Sequence, residues 1–375
     1  MTNTWNPLRD MPNLHGKIAV VTGGNDNQRN SEANGYRVHS SDIGRETIRL
    51  LAWKGAKVYF TTRSEAKAEQ TRKFIQEKNP DIDPQKLQWL QMDLTDLRSI
   101  DTAAQQLNDK EKKLDILGIS TSSLIISLII SGLILSCSVN NAAAATLSDG
   151  LVGPGWEQHM TVNYLGPFIF TNRLLPLLKR AVQDKDADVR VVTMSSNAQT
   201  IMIPRNFDFR FTSSDFFANP VPSHPWQWRY AGRFLFGFDA PRYAVSKAAN
   251  LIFAQELQRR FDEQRLPILS MVVHPGEVAT EGVFSINNAM LRTIARWTFI
   301  APEQGAETPL FAAVGEEIRQ NPSKYKGKFL FPKKQIGESS PVASDKGQVN
   351  ALWQATTAEV NKQLRADGLP VLESW

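Results

Sequence analysis

The run Lys17-Ile18-Ala19-Val20-Val21-Thr22 is short, almost wholly apolar and ends at Gly23-Gly24, and it narrows the choice of fold more than any other feature of the chain. A strand that is apolar on both faces has to be covered on both, which is the situation of a parallel sheet between layers of helices. The residues that follow agree. Ile43-Gly44-Arg45-Glu46-Thr47-Ile48-Arg49-Leu50-Leu51-Ala52 opens a helix, and Ala56-Lys57-Val58-Tyr59-Phe60-Thr61-Thr62 reads as a second buried strand. Together they make a βαβ unit with glycines at its first turn. Strand and helix patterns go on alternating along the 375 residues with no clear linker. The expectation is an α/β protein with a doubly wound parallel sheet flanked by helices, a single domain over residues 1–340, and a C-terminal tail at 341–375.

The chemistry is concentrated in Pro241-Arg242-Tyr243-Ala244-Val245-Ser246-Lys247-Ala248-Ala249-Asn250. Tyr243 and Lys247 stand four residues apart, which on a helix puts a phenol and an ammonium on one face. A phenol with a pKa near ~10 is a poor acid or base at neutral pH, but a cation beside it favours the phenolate and brings proton exchange within reach. Such pairs also occur on amphipathic helices that do no chemistry, so this one gains its weight from its company.

With the glycine turn, the pair makes the chain resemble the short-chain dehydrogenase/reductase family from about Lys17 to about Phe331, and most nearly its retinol-dehydrogenase-like branch, fungal members included. The resemblance implies a Rossmann fold and an oxidoreductase. It matches Gly23, Gly24, Ile43 and Gly44 to the cofactor turn, and Asp93-Leu94, after the strand at 87–92, to the contact with the adenine ring. Asn140-Asn141-Ala142-Ala143 stands where the family has Asn-Asn-Ala-Gly, so Asn140 and Ala142 would also touch the cofactor. Asn163, before Gly166-Pro167, matches the helix asparagine that holds a water in the proton relay. Ser196, at the end of the strand Arg190-Val191-Val192-Thr193-Met194, matches the serine that binds the substrate carbonyl, and Ser195 is the weaker candidate. Tyr243 and Lys247 become catalytic residues that also meet the cofactor. In His274-Pro275-Gly276-Glu277-Val278-Ala279-Thr280, Val278 and Thr280 match the residues facing the nicotinamide amide. His274 itself reads as structural, because no carboxylate or cysteine stands at a spacing that would complete a metal set or a triad. Plainer readings exist for two of these, since Asp is common in strand-end turns and Asn before Gly-Pro can kink a helix.

Cofactor choice turns on the residue after the second strand, where a carboxylate suits the ribose hydroxyls of NAD and a cation the extra phosphate of NADP. Thr61-Thr62-Arg63-Ser64 places Arg63 there, and its planar donor fork favours NADP(H) over NAD(H).

Two stretches are foreign to the family pattern. Residues 26–42 are polar and aperiodic where the family has a short turn, and Asp42 sets a carboxylate where a glycine would approach phosphate. Residues 118–138, rich in Ser, Ile and Leu and free of charge, are about as long as a bilayer-spanning helix. Removing them joins Lys113-Leu114-Asp115-Ile116-Leu117 to Val139-Asn140-Asn141-Ala142 and restores the family's fourth strand. Residues 26–40 and 118–138 are therefore read as translated non-coding sequence rather than as parts of a membrane protein.

Composition fits. The single cysteine, Cys137, excludes intrachain disulfides and suits a reducing compartment such as the cytoplasm, and residues 1–16 do not read as a signal peptide. A net charge of +5 is spread over dispersed Lys and Arg, so nucleic acid is not expected as a partner. The substrate expectation is a small apolar carbonyl or alcohol compound of fair bulk. Residues 197–240 are dense in rings, namely Phe207, Phe209, Phe211, Phe216, Phe217, Trp226, Trp228, Tyr230, Phe234, Phe236 and Phe238, which would line a pocket or pack a long excursion. Ile286, Met290, Leu291, Ile294, Trp297 and Ile300 recur at near-helical spacing and suggest a lid or a membrane-touching face. Self-association into a homo-oligomer stays open. So do two other classes, a non-catalytic nucleotide-fold protein with a broken cofactor loop and a membrane-anchored reductase.

Overall fold

A computed structural model of the protein describes residues 5–23, 43–119, 126–130, 133–137, 150–204, 207–222, 239–278 and 300–375. Its centre is an eight-stranded sheet in the order β3-β2-β1-β4-β5-β6-β7-β8. The strands are β1 (Ile18–Val21), β2 (Lys57–Thr62), β3 (Leu87–Gln91), β4 (Ile116–Ile119), β5 (Val189–Met194), β6 (Ile268–Val273), β7 (Phe329–Phe331) and β8 (Gln335–Gly337). All neighbours run parallel except β8, which pairs with β7 antiparallel. The apolar runs are continuous because alternate residues feed two cores. Ala19, Val21, Val58, Phe60, Val192 and Met194 face one, while Val20, Tyr59, Val189 and Val191 face the other. Helices α1 (Ile43–Trp53), α2 (Glu65–Lys78) and α6 (Glu307–Val314) cover the first face. Helices α3 (Leu97–Lys110), α4 (Gly166–Ala181), α5 (Ala240–Glu263) and α7 (Lys346–Ala366) cover the second. This is the doubly wound Rossmann arrangement expected from the sequence.

β1 neighbours β2 on one side and β4 on the other, so successive connections leave it in opposite directions. In such sheets the ligand crevice opens outside the carboxyl ends of the strands at this reversal. The opposite end of β1 is pinned by Asp115, whose buried carboxylate accepts the Ile18 N–H at 3.0 Å and pairs with Lys17 at 3.1 Å.

Residues 341–375, set apart in the sequence as a tail, pack into the second core. Leu352, Trp353, Val360, Leu364 and Leu372 are buried there. The Trp353 ring stacks on Phe253 of α5 at 6.1 Å, and Trp375 meets Phe168 of α4 at 4.7 Å. Arg173 donates to the carbonyls of Pro370 and Val371, and Asn172 exchanges hydrogen bonds with the backbone of Glu373.

The second foreign stretch departs from the helix that hydropathy suggested. Residues Ile126–Ile130 and Leu133–Cys137 pair as an antiparallel hairpin that joins no other strand among the described residues. Branched Ile favours extended backbone, and apolar length alone does not separate a helix from two strands. No helix among the described residues is long and apolar enough to cross a membrane. β4 also runs two residues into this stretch, with Gly118 paired to Val21 and Val192 and its carbonyl accepting the Thr22 N–H. Residues 26–42 lie outside the described residues.

Trp353 gives a test of how the C-terminal helix contributes. Trp353→Ala should cost about 3 to 5 kcal/mol in urea unfolding, since it empties a ring site between Phe168, Phe253 and Trp375. A cost below about 1 kcal/mol would mean that 341–375 is a detachable appendage.

Candidate active site

Helix α5 begins at a built stop. The Asp239 side chain caps it by accepting the Arg242 N–H, and Pro241 occupies its first turn, where a missing N–H costs nothing. One turn inside come Tyr243 and Lys247, both fully buried, with the lysine Nζ 5.3 Å from the centre of the phenol ring. Burial pushes the Lys247 ammonium well below its usual range. A negative charge beside it, such as a phenolate, favours the ammonium again.

Two hydrogen bonds tie α5 to the end of β5. Ser195 Oγ donates to the Lys247 carbonyl at 2.8 Å, and Asn250 Nδ2 donates to the Met194 carbonyl at 3.2 Å. Ser195 is thus a fastener, while Ser196 is the serine whose hydroxyl proton is left to give. Its Oγ accepts the Ala198 N–H at 3.1 Å, which uses a lone pair and not the proton. Tyr243 packs with Ala198, Met202 and Ile203, which follow Ser196, and Ile201, Phe207 and Phe209 border the same cluster.

Asn163 reaches α5 from the other side. It lies in the widened turn Thr161–Leu165, where the Gly166 N–H bonds to the Thr161 carbonyl five residues back. Pro167 has no N–H to return to the Asn163 carbonyl, so a regular turn cannot form here. The asparagine Nδ2 donates to Ser246 Oγ at 2.9 Å, and that hydroxyl donates to the Tyr243 carbonyl at 2.7 Å.

The residues matched to the cofactor in the sequence spread along the carboxyl edge of the sheet. Gly23 takes a left-handed φ of 73° straight after β1, and its N–H bonds to Thr61 Oγ1 at 3.3 Å. Arg63 is exposed just beyond β2. Asp93 follows β3 and spends Oδ1 on the N–H and hydroxyl of Thr95. Leu94 lies against Gly166, where an added Cβ would come within 2.7 Å of the Leu94 carbonyl. Ile43, which with Gly44 opens α1, meets Val278 over Gly305, where an added Cβ would sit 2.5 Å from Val278 and 3.2 Å from Ile43. These positions lie at the strand ends, where a dinucleotide would bind in such a sheet, with a cation beyond β2. Gly24, Asn140, Ala142 and Thr280 fall outside the described residues.

The family profile for short chain dehydrogenase matches residues 39–207. A short chain dehydrogenase/reductase of Colletotrichum higginsianum is 36% identical over 350 residues, 93% of this chain and 76% of its own. The chain belongs to the short-chain dehydrogenase/reductase family. Retinol dehydrogenase 12 of Mus musculus is 30% identical over 92% of this chain and 86% of its own length. Among solved structures, a Pseudomonas aeruginosa protein described as an NADP active-site complex superposes with a TM-score of 0.53 at 19% identity, covering 85% of this chain and 95% of that one. An NADPH-bound carbonyl reductase from chicken fatty liver gives 0.52 at 18%, over 86% and 99%. At such identities the two share the fold of this dehydrogenase/reductase.

The sequence reading missed Glu157, His159, Ser246 and Asn250. Asn250 follows Tyr243 by seven residues, two helical turns on the same face, which was a usable signal. The ring cascade from Phe207 through Phe209, Phe211 and Phe216 to Phe217 and Trp156 packs this part of the excursion onto the core. Trp226, Trp228, Tyr230, Phe234, Phe236, Phe238 and the apolar series from Ile286 to Trp297 lie outside the described residues.

His274 is buried, its Nδ1 has no hydrogen-bond partner, and burial lowers its pKa from 6.5 to about 3. The unfolded chain binds this proton below about pH 6.5 and the folded one only near 3. Stability from this group is therefore complete above pH 6.5 and falls as the pH drops toward 3, by about 1.4 kcal/mol per unit. His274→Asn should flatten the stability curve over that window. Parallel curves for parent and variant would show that His274 takes up its proton in the folded state.

Proposed function

We propose that this dehydrogenase/reductase interconverts a ketone or aldehyde and an alcohol on a fairly large apolar substrate, with NADP(H) favoured as the cofactor. The observation that carries the proposal is the buried Tyr243–Lys247 pair on a helix fastened beside Ser196. In the reducing direction Ser196 donates a hydrogen bond to the substrate oxygen and Tyr243 gives it a proton. When bound, NADPH supplies the hydride that goes to the carbonyl carbon. Gly23, Ile43, Gly44, Arg63, Asp93, Leu94 and Val278 are the described residues that would hold it, with Lys247 at its ribose. Lys247 stabilises the phenolate left behind, and Asn163 orders the water that returns the proton.

Ile201, Met202, Ile203, Phe207 and Phe209 give the Tyr243 surroundings an apolar wall, which supports a bulky apolar substrate. Arg63 supports NADP(H), and the two structural relatives described with NADP and NADPH are in keeping with it. A chain with one cysteine suits the cytoplasm, where we place its activity.

Tyr243→Phe should lower kcat by about a thousandfold while NADPH affinity stays within about twofold, because only the hydroxyl is lost. Residual kcat within about tenfold of the parent would remove Tyr243 as the acid. Arg63→Asp should weaken NADPH by about a hundredfold more than NADH, by losing a charge-assisted contact and adding repulsion. Equal losses for the two cofactors would place the phosphate-reading cation elsewhere.

A further inference from the structure

We propose that Glu157 and His159 form a positioning pair that fixes the ring of Tyr243, a role that rests on the reading of Tyr243 as the proton donor. Glu157 ends the short strand Trp156–Glu157, which pairs with Leu151–Val152, and it caps the helical turn Gln158–Met160. Both of its carboxylate oxygens are engaged. Oε2 accepts the Met160 N–H at 2.9 Å, and Oε1 lies 2.6 Å from His159 Nδ1. Both side chains are fully buried. Burial pushes the Glu157 carboxyl up, but the charge and hydrogen bond of His159, with the N–H groups of Met160 and His159, outweigh it and hold the group below the usual range. An ionised carboxylate only accepts, so Nδ1 of His159 presents its N–H to Oε1, and the ring's orientation follows.

That oriented imidazole stands against the acid. The rings of His159 and Tyr243 have centroids 6.4 Å apart and planes 68° from parallel, an edge-on contact. Four residues on, Asn163 holds the same turn of α5 through Ser246. Residues 157–163 therefore grip the Tyr243 turn twice, once at the ring and once at the backbone. A buried ion pair is a weak source of stability, and a well-packed apolar pair in the same space often does as well or better. Its value here lies in direction: the carboxylate aims the imidazole and the imidazole bounds the rotation of the phenol. A small misplacement of a reacting group costs about a hundredfold in rate, so an edge contact of this kind matters for turnover while cofactor affinity does not depend on it.

The test uses the full chain with three substitutions at the pair, a fourth at Tyr243 for assignment, and both kinetic and spectroscopic readouts. His159→Ala should lower kcat by about tenfold or more with NADPH Kd within about twofold, and His159→Phe, which restores a ring, should recover most of the loss. Glu157→Gln keeps an acceptor for the Met160 N–H and should fall between the parent and His159→Ala. In parallel, the protein is labelled with 3-fluorotyrosine at its six tyrosines, and the Tyr243 line is assigned from Tyr243→Phe. That line should be single and narrow in the parent, broadened or split in His159→Ala, and narrow again in His159→Phe, while the other lines stay put. An unchanged Tyr243 line in His159→Ala, or equal losses of kcat and NADPH affinity, would overturn the positioning role. If the parent turned over no carbonyl compound while its Tyr243 line still depended on His159, the proposed reaction would fail and the positioning pair would stand.

Discussion

Two hydrogen bonds, from Ser195 Oγ to the Lys247 carbonyl and from Asn250 Nδ2 to the Met194 carbonyl, decide where the helix that bears Tyr243 and Lys247 sits on the sheet. Each contributes only about 1 kcal/mol to stability, little beside the buried faces of Val245, Ala248, Ala249, Ile252 and Phe253. Their importance is in register. An apolar helix face tolerates sliding and rotation over a sheet, because its attraction has no direction. Hydrogen bonds do not, and a slip of one residue would turn Tyr243 about 100° away from Ser196. Both fasteners bind backbone carbonyls at the end of β5 or one turn beyond Tyr243, so the strand end and the helix are set as one unit.

The remaining site parts come to that unit from three directions. The widened turn at Thr161–Leu165 brings Asn163 to Ser246, and the Gly166–Leu94 approach holds α4 over the end of β3. Val278 and Ile43 meet over Gly305 on the other side of the sheet end. Further along α5, Trp353 and Trp375 pack on Phe253 and Phe168, so residues 341–375 brace α5, which bears Tyr243 and Lys247, and α4 beside it. Arg260 stacks over Trp353 at 4.1 Å and adds to that brace.

Much of this was legible in the residues. Strands covered on both faces show as largely apolar runs, so β1, β2 and β5 stood where they were expected, as did the more polar edge strand β3, and the Tyr243–Lys247 spacing carried its own geometry. What could not be read depends on contacts between distant segments. Ser195 and Ser196 are chemically equivalent until Lys247 takes one of them. Glu157 and His159 meet Tyr243 only once the turn Gln158–Met160 packs against α5, and no periodicity signals that. The C-terminal helix has too mixed a face to announce burial, since its Leu352, Trp353, Val360 and Leu364 find their core only with α4 and α5 in place. The run at 126–137 shows the converse limit, for apolar length without a period fits a span or a hairpin equally well.

Transfer of label settles most directly whether this assembly does hydride chemistry. The full chain would be incubated with NADPH carrying deuterium on the transferable C4 position and with a panel of bulky aldehydes and ketones, and the products examined by NMR. The account requires deuterium on the carbinol carbon of at least one apolar product. NADPH that binds yet keeps its label in the presence of every carbonyl compound would contradict it.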